Sequence, residues 1–362
     1  MTQTKSTRAK TIEEIDGNFK AGEIGGRPVE FHDVTRKPFG LTGFPWFEKE
    51  GRFCRLPVDS IEKLDRIRDG AWHTAGGRVR FRTDSELLAV RVKLTSSGDM
   101  SHMPRTGSAG VDLFRGPGAK KTFVAVGIPP AGADKYETLL YKGKEKEMCD
   151  WTLNFPLYNG VKQILVGVSP GAKLCPPAAF AIRKPILFYG GSITQGGCAS
   201  RPGNAFTHMI CDWLDAPLIN LGFSGCAMLE PIMATLIASL DLGVLLIDTT
   251  NTTPEQKRKR HEPFFLSIRE RHPDLPIVLG CRADWRTDPA LHRERRATVL
   301  RTYRNALKRG DKRVFFADGR DAYGKYYQYC TVDGCHPNDL GFMRLAEAYY
   351  PAIQRAVRAG AG

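Results

Sequence analysis

No stretch of this chain is long and apolar enough to cross a bilayer as a helix, which argues against a helical membrane protein. The N-terminus, M-T-Q-T-K-S-T-R-A-K, has none of the apolar run that a secretory signal needs, so a complete natural chain of this sequence is expected in the cytoplasm. Cysteine motifs are missing too. The nine cysteines are scattered without a C-x-x-C pair, which favours neither a disulfide framework nor a zinc site. Free thiols are the expectation, with Cys330 and Cys335 close in sequence and Cys198 and Cys226 both in loop-like stretches. No internal repeat or low-complexity tract stands out. Nor does an RNA-binding aromatic motif or a DNA-reading helix accompany the net charge of +14, so nucleic acid is not an expected partner. Much of that charge lies in K-R-K-R (257–260), 269–271 and R-E-R-R (293–296), which read as solvated helix faces with interleaved glutamates. An acidic substrate is the functional alternative.

What is present is an ordinary globular composition, 42% apolar and 25% charged, over a length that suits two domains or one large one. Residues 1–30 are polar and glycine-containing and read as a loose lead-in. From 31 to 180, short β-rich runs recur between turn residues, at 52–56, 78–82, 87–94, 110–114, 121–126, 136–141, 147–155 and 163–168. Alternation is clear in R-V-R-F-R and L-L-A-V-R-V-K-L, and the regular spacing predicts an antiparallel β-sandwich of jelly-roll kind. The polar segment 96–110 is too long for a hairpin turn and long enough to reach a neighbouring site. After S-P-G-A-K-L-C-P-P the pattern changes, and 181–362 alternates strands with helices. Strands are expected at 185–189, 218–221, 243–247, 276–280 and 314–317. Between them lie amphipathic helices, the first with Phe206, Met209, Ile210, Trp213 and Leu214 on one face. That order predicts an α/β domain around a five-stranded, doubly wound parallel sheet.

Polar residues gather past the C-terminal ends of those strands, where open parallel sheets bind ligands. The first strand runs through a glycine pair into Ser192. The second runs into N-L-G-F-S-G with Gly222, and the third delivers Asp248 and Asn251. Asp333 and His336 follow in D-G-C-H-P-N-D, just before the last helix. The set suits acyl transfer. A serine hydroxyl needs a base to take its proton, histidine is suited to that near neutral pH, and a carboxylate holds the imidazole in the right tautomer. The N–H groups of Ser192 and Gly222 and the Asn251 amide are candidate donors to the oxyanion. This chemistry calls for no metal and no organic cofactor.

The blocks G-G-S-I-T-Q-G, N-L-G-F-S-G, D-T-T-N-T-T-P-E and D-G-C-H-P-N-D resemble those of the SGNH (GDSL-like) hydrolase superfamily. The likeness is greatest to bacterial members with a β-sandwich ahead of the hydrolase domain, a looser match carried by M-P-R-T-G-S-A-G-V-D-L-F at 103–114. The resemblance implies a three-layer α/β/α, flavodoxin-like fold, with Ser192 as nucleophile, His336 as base, Asp333 as its orienter, and Gly222 and Asn251 as oxyanion donors. Gly191 stands where the name-giving motif has an aspartate, and the third block lacks Gly-x-Asn-Asp. Substrate contacts are implied for His102 and Arg105 in the long loop, for Gln195 in the first block, and for Arg282, Asp284 and Trp285 past the fourth strand. For Trp285, packing against the loop is the plainer reading and sugar stacking the functional one. The implied activity is a serine esterase, foremost the O-deacetylation of an acetylated carbohydrate, with a small-molecule or oligosaccharide ester as partner and no membrane. Esterase, lipase-like or thioesterase action on another small acyl ester is the alternative within enzymes. A catalytically silent carbohydrate or polyanion binder is the alternative outside them. A homo-oligomer is compatible with all three.

Overall fold

The computed structural model describes residues 20–281 and 288–360. Two antiparallel sheets form the first half. One runs in the order β1 (Lys20–Ile24), β2 (Arg27–Asp33), β10 (Val161–Val168), β5 (Leu87–Leu94) and β8 (Lys135–Lys142). The other runs β11 (Leu174–Cys175), β4 (Arg78–Thr83), β9 (Cys149–Asn154), β6 (Val111–Arg115) and β7 (Thr122–Gly127), with β3 (Gly40–Thr42) added on β4. Alternation along β5 does what the sequence predicts. Leu88, Val90, Val92 and Leu94 meet Val79, Phe81, Trp151 and Leu153 between the sheets. Leu87 and Ala89 face outward into a smaller cluster with Val29, Phe31 and Leu165.

The second half is a parallel sheet in the order β13 (Leu218–Gly222), β12 (Ile186–Gly190), β14 (Val244–Asp248), β15 (Ile277–Cys281) and β16 (Val314–Asp318). Ile186 and Phe188 of β12 pack on one side against Phe206, Phe342 and Tyr349. Leu187 and Tyr189 pack on the other, against Phe264, Phe265 and Val299. Helices on both faces complete the three layers, and the strand order reverses beside β12, where the crevice opens.

Three expectations change. The lead-in already carries β1 and the start of β2, joined by Gly25 and Gly26 with φ of 60° and 74°, the paired left-handed residues of a tight hairpin. The run 52–56 is not a strand. It opens a segment of short helices, Val58–Ile61 and Arg68–Trp72, whose Cys54, Leu56, Ile61, Leu64, Ile67 and Ala71 join the core of the parallel sheet beside Ile219, Leu221 and Phe223. Lys257 of the K-R-K-R run is buried rather than solvated, its ammonium donating to the Thr249 carbonyl. As expected, all nine cysteines are free.

The halves are joined by a buried polar network. Asp112 Oδ1 accepts from Asn154 Nδ2 (2.8 Å), and its Oδ2 accepts from Arg201 Nη1 (2.9 Å) and the Gly203 N–H (2.8 Å) across the junction. Arg78 donates to Asn154 Oδ1 (2.8 Å) and pairs with Asp212 at 2.8 Å, which Lys121 also reaches at 2.6 Å. Burial pushes the Asp112 carboxyl up, and Arg201, Asn154 and Gly203 pull against it. Removing one partner of a buried ion pair strands the other charge. Asp112→Ala is therefore expected to cost about 3–5 kcal/mol, seen as a lower urea midpoint.

Candidate active site

Beyond β12 the chain turns at Gly191 into a one-turn helix, Ser192–Gln195, with Ser192 as its first residue. At that position the Ser192 N–H has no intrahelical acceptor. The Ser192 carbonyl is held by the N–H groups of Gly196 and Gly197 (3.0 and 2.8 Å) and by the Tyr158 hydroxyl of the first half (3.1 Å). Across the crevice Asp333 folds its own loop. Its Oδ1 accepts from the N–H groups of Cys335 (2.9 Å) and His336 (2.7 Å), the local bonding that favours Asp in turns. The same turn brings Asp333 Oδ2 within 2.7 Å of His336 Nδ1, and His336 Nε2 within 2.9 Å of Ser192 Oγ.

Burial raises the Asp333 pKa, but hydrogen bonds from the His336 ring and from the two N–H groups draw it down to about 2, so it is a carboxylate. The Cys335 thiol against the imidazole raises the His336 pKa, burial lowers it, and Asp333 raises it again, leaving it at about 9. Such a lift from Cys335 grows with the negative charge on its sulfur.

Asn251 sits against Gly191. The carboxamide orientation that satisfies its neighbours has the oxygen accepting from the N–H groups of Cys226 (3.1 Å) and Ala227 (3.2 Å), with the amino group on the other edge. A Cβ on residue 191 would lie 2.9–3.0 Å from that carboxamide, so glycine is what admits Asn251 here.

Gly222 does not fit the part of oxyanion donor. Its N–H is spent on Asn220 Oδ1 at 2.8 Å, and a Cβ there would lie 2.2 Å from the Gln195 nitrogen, so it is a close-packing residue beneath the nucleophile helix. Gly225, the second glycine of N-L-G-F-S-G, is exposed at φ 70°, and among the described residues its N–H donates to nothing. Both glycines were visible in the block, but only backbone geometry tells their N–H groups apart.

Gln195 is fully buried and away from any substrate surface. Its Nε2 donates to His73 Nδ1 (2.9 Å) and the Leu157 carbonyl (3.0 Å), and its Oε1 accepts from the Ser224 N–H (3.0 Å). Burial and nearby Arg55 hold His73 at a pKa of about 4, so it is the neutral acceptor that this bond needs. Arg105 is likewise spent on structure, donating to the carbonyls of Ser97 (3.0 Å), Pro129 (3.2 Å) and Ala133 (2.6 Å) and pairing with Asp99. It shapes the loop 96–110, which docks on the second half through Thr106 Oγ1 and the Ser200 carbonyl (2.5 Å). That docking sets the exposed His102 ring 5.8 Å from the His336 ring, so the long loop does reach the site. Arg282, Asp284 and Trp285 lie outside the described residues.

Arg55 is a structural residue that nothing in the sequence marks. It is fully buried and donates to the carbonyls of Asn220 (3.0 Å), Gly222 (2.6 Å) and Gly70 (2.5 Å), with its guanidinium 4.5 Å from the Phe223 ring centre. Desolvation lowers its pKa to about 9. A lone arginine in an alternating run carries no signal of such a place.

The family of GDSL-like lipases and acylhydrolases is matched by residues 183–354, and the N-terminus of SGNH-hydro-type esterases, named for a GxDLY pattern, by residues 29–174. That pattern stands here as Gly110 to Phe114, with Asp112 at its centre. The chain belongs to the SGNH (GDSL-like) hydrolases. It is an esterase or acylhydrolase of the SGNH type. Among solved structures, a Bacteroides ovatus protein described as a GDSL-like lipase is 26% identical, with 91% of this chain and 98% of that chain covered and a TM-score of 0.81. A salicylyl-acyltransferase from a tetracycline biosynthetic pathway is 21% identical over 90% and 97%, TM-score 0.74. A family two carbohydrate esterase from Cellvibrio japonicus is 12% identical over 91% and 98%, TM-score 0.58. The last two share the fold. No curated protein matches.

In this SGNH hydrolase the His336 ring should titrate well above the ordinary imidazole value, at about 9. Cys335→Ser should return it toward about 6.5. NMR titration of the imidazole checks both, and an unchanged pKa in the variant would remove Cys335 as the cause.

Proposed function

We propose that this hydrolase is a serine esterase that removes O-acetyl groups from a carbohydrate through an acyl-enzyme on Ser192. The observation that carries the reading is the relay of 2.9 Å and 2.7 Å from Ser192 through His336 to Asp333. Ser192 Oγ passes its proton to His336 Nε2 and bonds to the ester carbonyl carbon. The carbon–alkoxy bond then breaks, and the alcohol leaves with that proton. A water, deprotonated by the same nitrogen, attacks the acyl group and releases the acid and Ser192. Asp333 stays ionised throughout and balances the imidazolium. The developing oxyanion is assigned to the Ser192 N–H, the Asn251 amino group and, in place of Gly222, the Gly225 N–H.

His336 acts as base only when neutral. Turnover should therefore rise as pH climbs through its pKa, and the rising limb should move to lower pH in Cys335→Ser.

The carbohydrate half of the reading draws on fold kinship. The Cellvibrio japonicus relative is a carbohydrate esterase, and an acetyl xylan esterase from Butyrivibrio proteoclasticus shares the fold at 13% identity and a TM-score of 0.55. The higher TM-score of 0.74 to the salicylyl-acyltransferase favours a second reading, in which an alcohol replaces water as acyl acceptor.

Hydrolysis of p-nitrophenyl acetate, butyrate and octanoate tests the core claim. Acetate should turn over fastest, and Ser192→Ala and His336→Ala should each lose at least about a thousandfold. Asn251→Ala, and Gly191→Ala by displacing Asn251, should each lose about a hundredfold in kcat. Acetate release from acetylated oligosaccharides then tests the substrate, and acetyl transfer to added alcohols tests the second reading. Turnover that survives Ser192→Ala would sink the mechanism.

A further inference from the structure

A second imidazole and a buried thiol crowd the base in a way that ester hydrolysis does not use. We propose that His102, Cys198 and His336 form a site for a soft divalent metal ion of the zinc class, and that filling it silences the enzyme by taking the lone pair of the base. One ligand atom from each of the three lies within 4.8 Å of the other two. Tetrahedral zinc holds sulfur at about 2.3 Å and imidazole nitrogen at about 2.0–2.1 Å, which sets such atoms roughly 3.3–3.7 Å apart. About 1 Å of closure therefore completes the triad. The exposed His102 ring, at the tip of a loop docked on the second half, is free to supply it.

Cys198 is carried on the loop that follows the nucleophile helix. It is buried, and its φ of 78° lies where residues with a side chain seldom go. Strain of that kind collects at functional sites. His336 presents one nitrogen only, because Asp333 Oδ2 holds Nδ1 at 2.7 Å. A carboxylate on the far nitrogen is the support that metal-binding histidines usually have. Two nitrogens and a sulfur suit zinc and similar ions over magnesium or calcium, and three protein ligands leave a fourth position for water.

A rival cluster, Asp333, Cys335 and His336, meets the same 4.8 Å test. There, however, the carboxylate already accepts from Cys335 N–H, His336 N–H and His336 Nδ1, and an ion would have to break those bonds. Binding at His102, Cys198 and His336 leaves them whole and displaces only the Ser192 hydroxyl from His336.

Silencing rests on the serine-esterase reading; binding does not, and the test separates them. Cobalt(II) is added to Ser192→Ala protein, which keeps all three ligands. A thiolate-to-cobalt charge-transfer band is expected in the near ultraviolet, and its loss when His102→Ala or Cys198→Ser is added. In the active enzyme, micromolar zinc should inhibit p-nitrophenyl acetate hydrolysis, with EDTA restoring it. The inhibition constant should rise at least about tenfold in His102→Ala and in Cys198→Ser, each against its own metal-free rate. Cys335→Ser keeps all three ligands and should be at least as sensitive as wild type, because a base that is more often unprotonated meets the ion more readily. Absence of the cobalt band, or a band that survives both ligand changes, overturns the site. Zinc sensitivity that is lost in Cys335→Ser and kept in His102→Ala moves the ion to the rival cluster and overturns the proposal as well.

Discussion

An edge strand leaves carbonyls that no neighbouring strand can pair, and at β13 that obligation falls on one side chain. Arg55 bonds the carbonyls of Asn220 and Gly222 from outside the sheet and lies against Phe223. The end of β13 is then stiff enough for Gly222 to pass directly beneath the Ser192–Gln195 helix. Gln195 extends the hold by joining that helix to His73, Leu157 and the Ser224 N–H at once. The nucleophile is thus positioned by groups from both halves, and the loss of any one exposes a buried polar group that has no water to turn to.

The two thiols near His336 differ in what holds them. Cys335 is on the Asp333 turn and touches the imidazole through local geometry. Cys198 is carried on the loop after the nucleophile helix and is buried, with its pKa pushed up to about 12 by desolvation. One side chain lifts the basicity of the histidine, and the other forms a wall of its pocket. A catalytic base with two sulfurs beside it is open to chemistry that a base among alcohols and amides is not.

Much of this was legible in the sequence, and for stated reasons. Strict alternation in β4 and β5 and five apolar runs with helices between them settle both halves, because period and burial are the same physics. The placement of Ser192, Asn251, Asp333 and His336 past strand ends follows from that topology alone. What could not be read depends on which polar group is already occupied. R-F-C-R-L at 52–56 alternates like a strand, yet its backbone is drawn to the β13 edge by Arg55. Gly222 and Gly225 look alike in the sequence, and only the Asn220 side chain removes one from consideration. Gln195 and Arg105 are polar residues in the right neighbourhood whose bonds all turn inward.

Residues 54–72 have a further consequence. They are made early, but the strand they cover is made only after the whole sandwich has been synthesised. The usual order on the ribosome, in which an N-terminal unit folds and the next one follows, cannot be completed here. The first half must keep this apolar flap unplaced until β13 arrives. For the same reason the two halves are not interchangeable cassettes: a hydrolase half recombined onto another sandwich would inherit an open edge and an exposed patch that its old partner had covered.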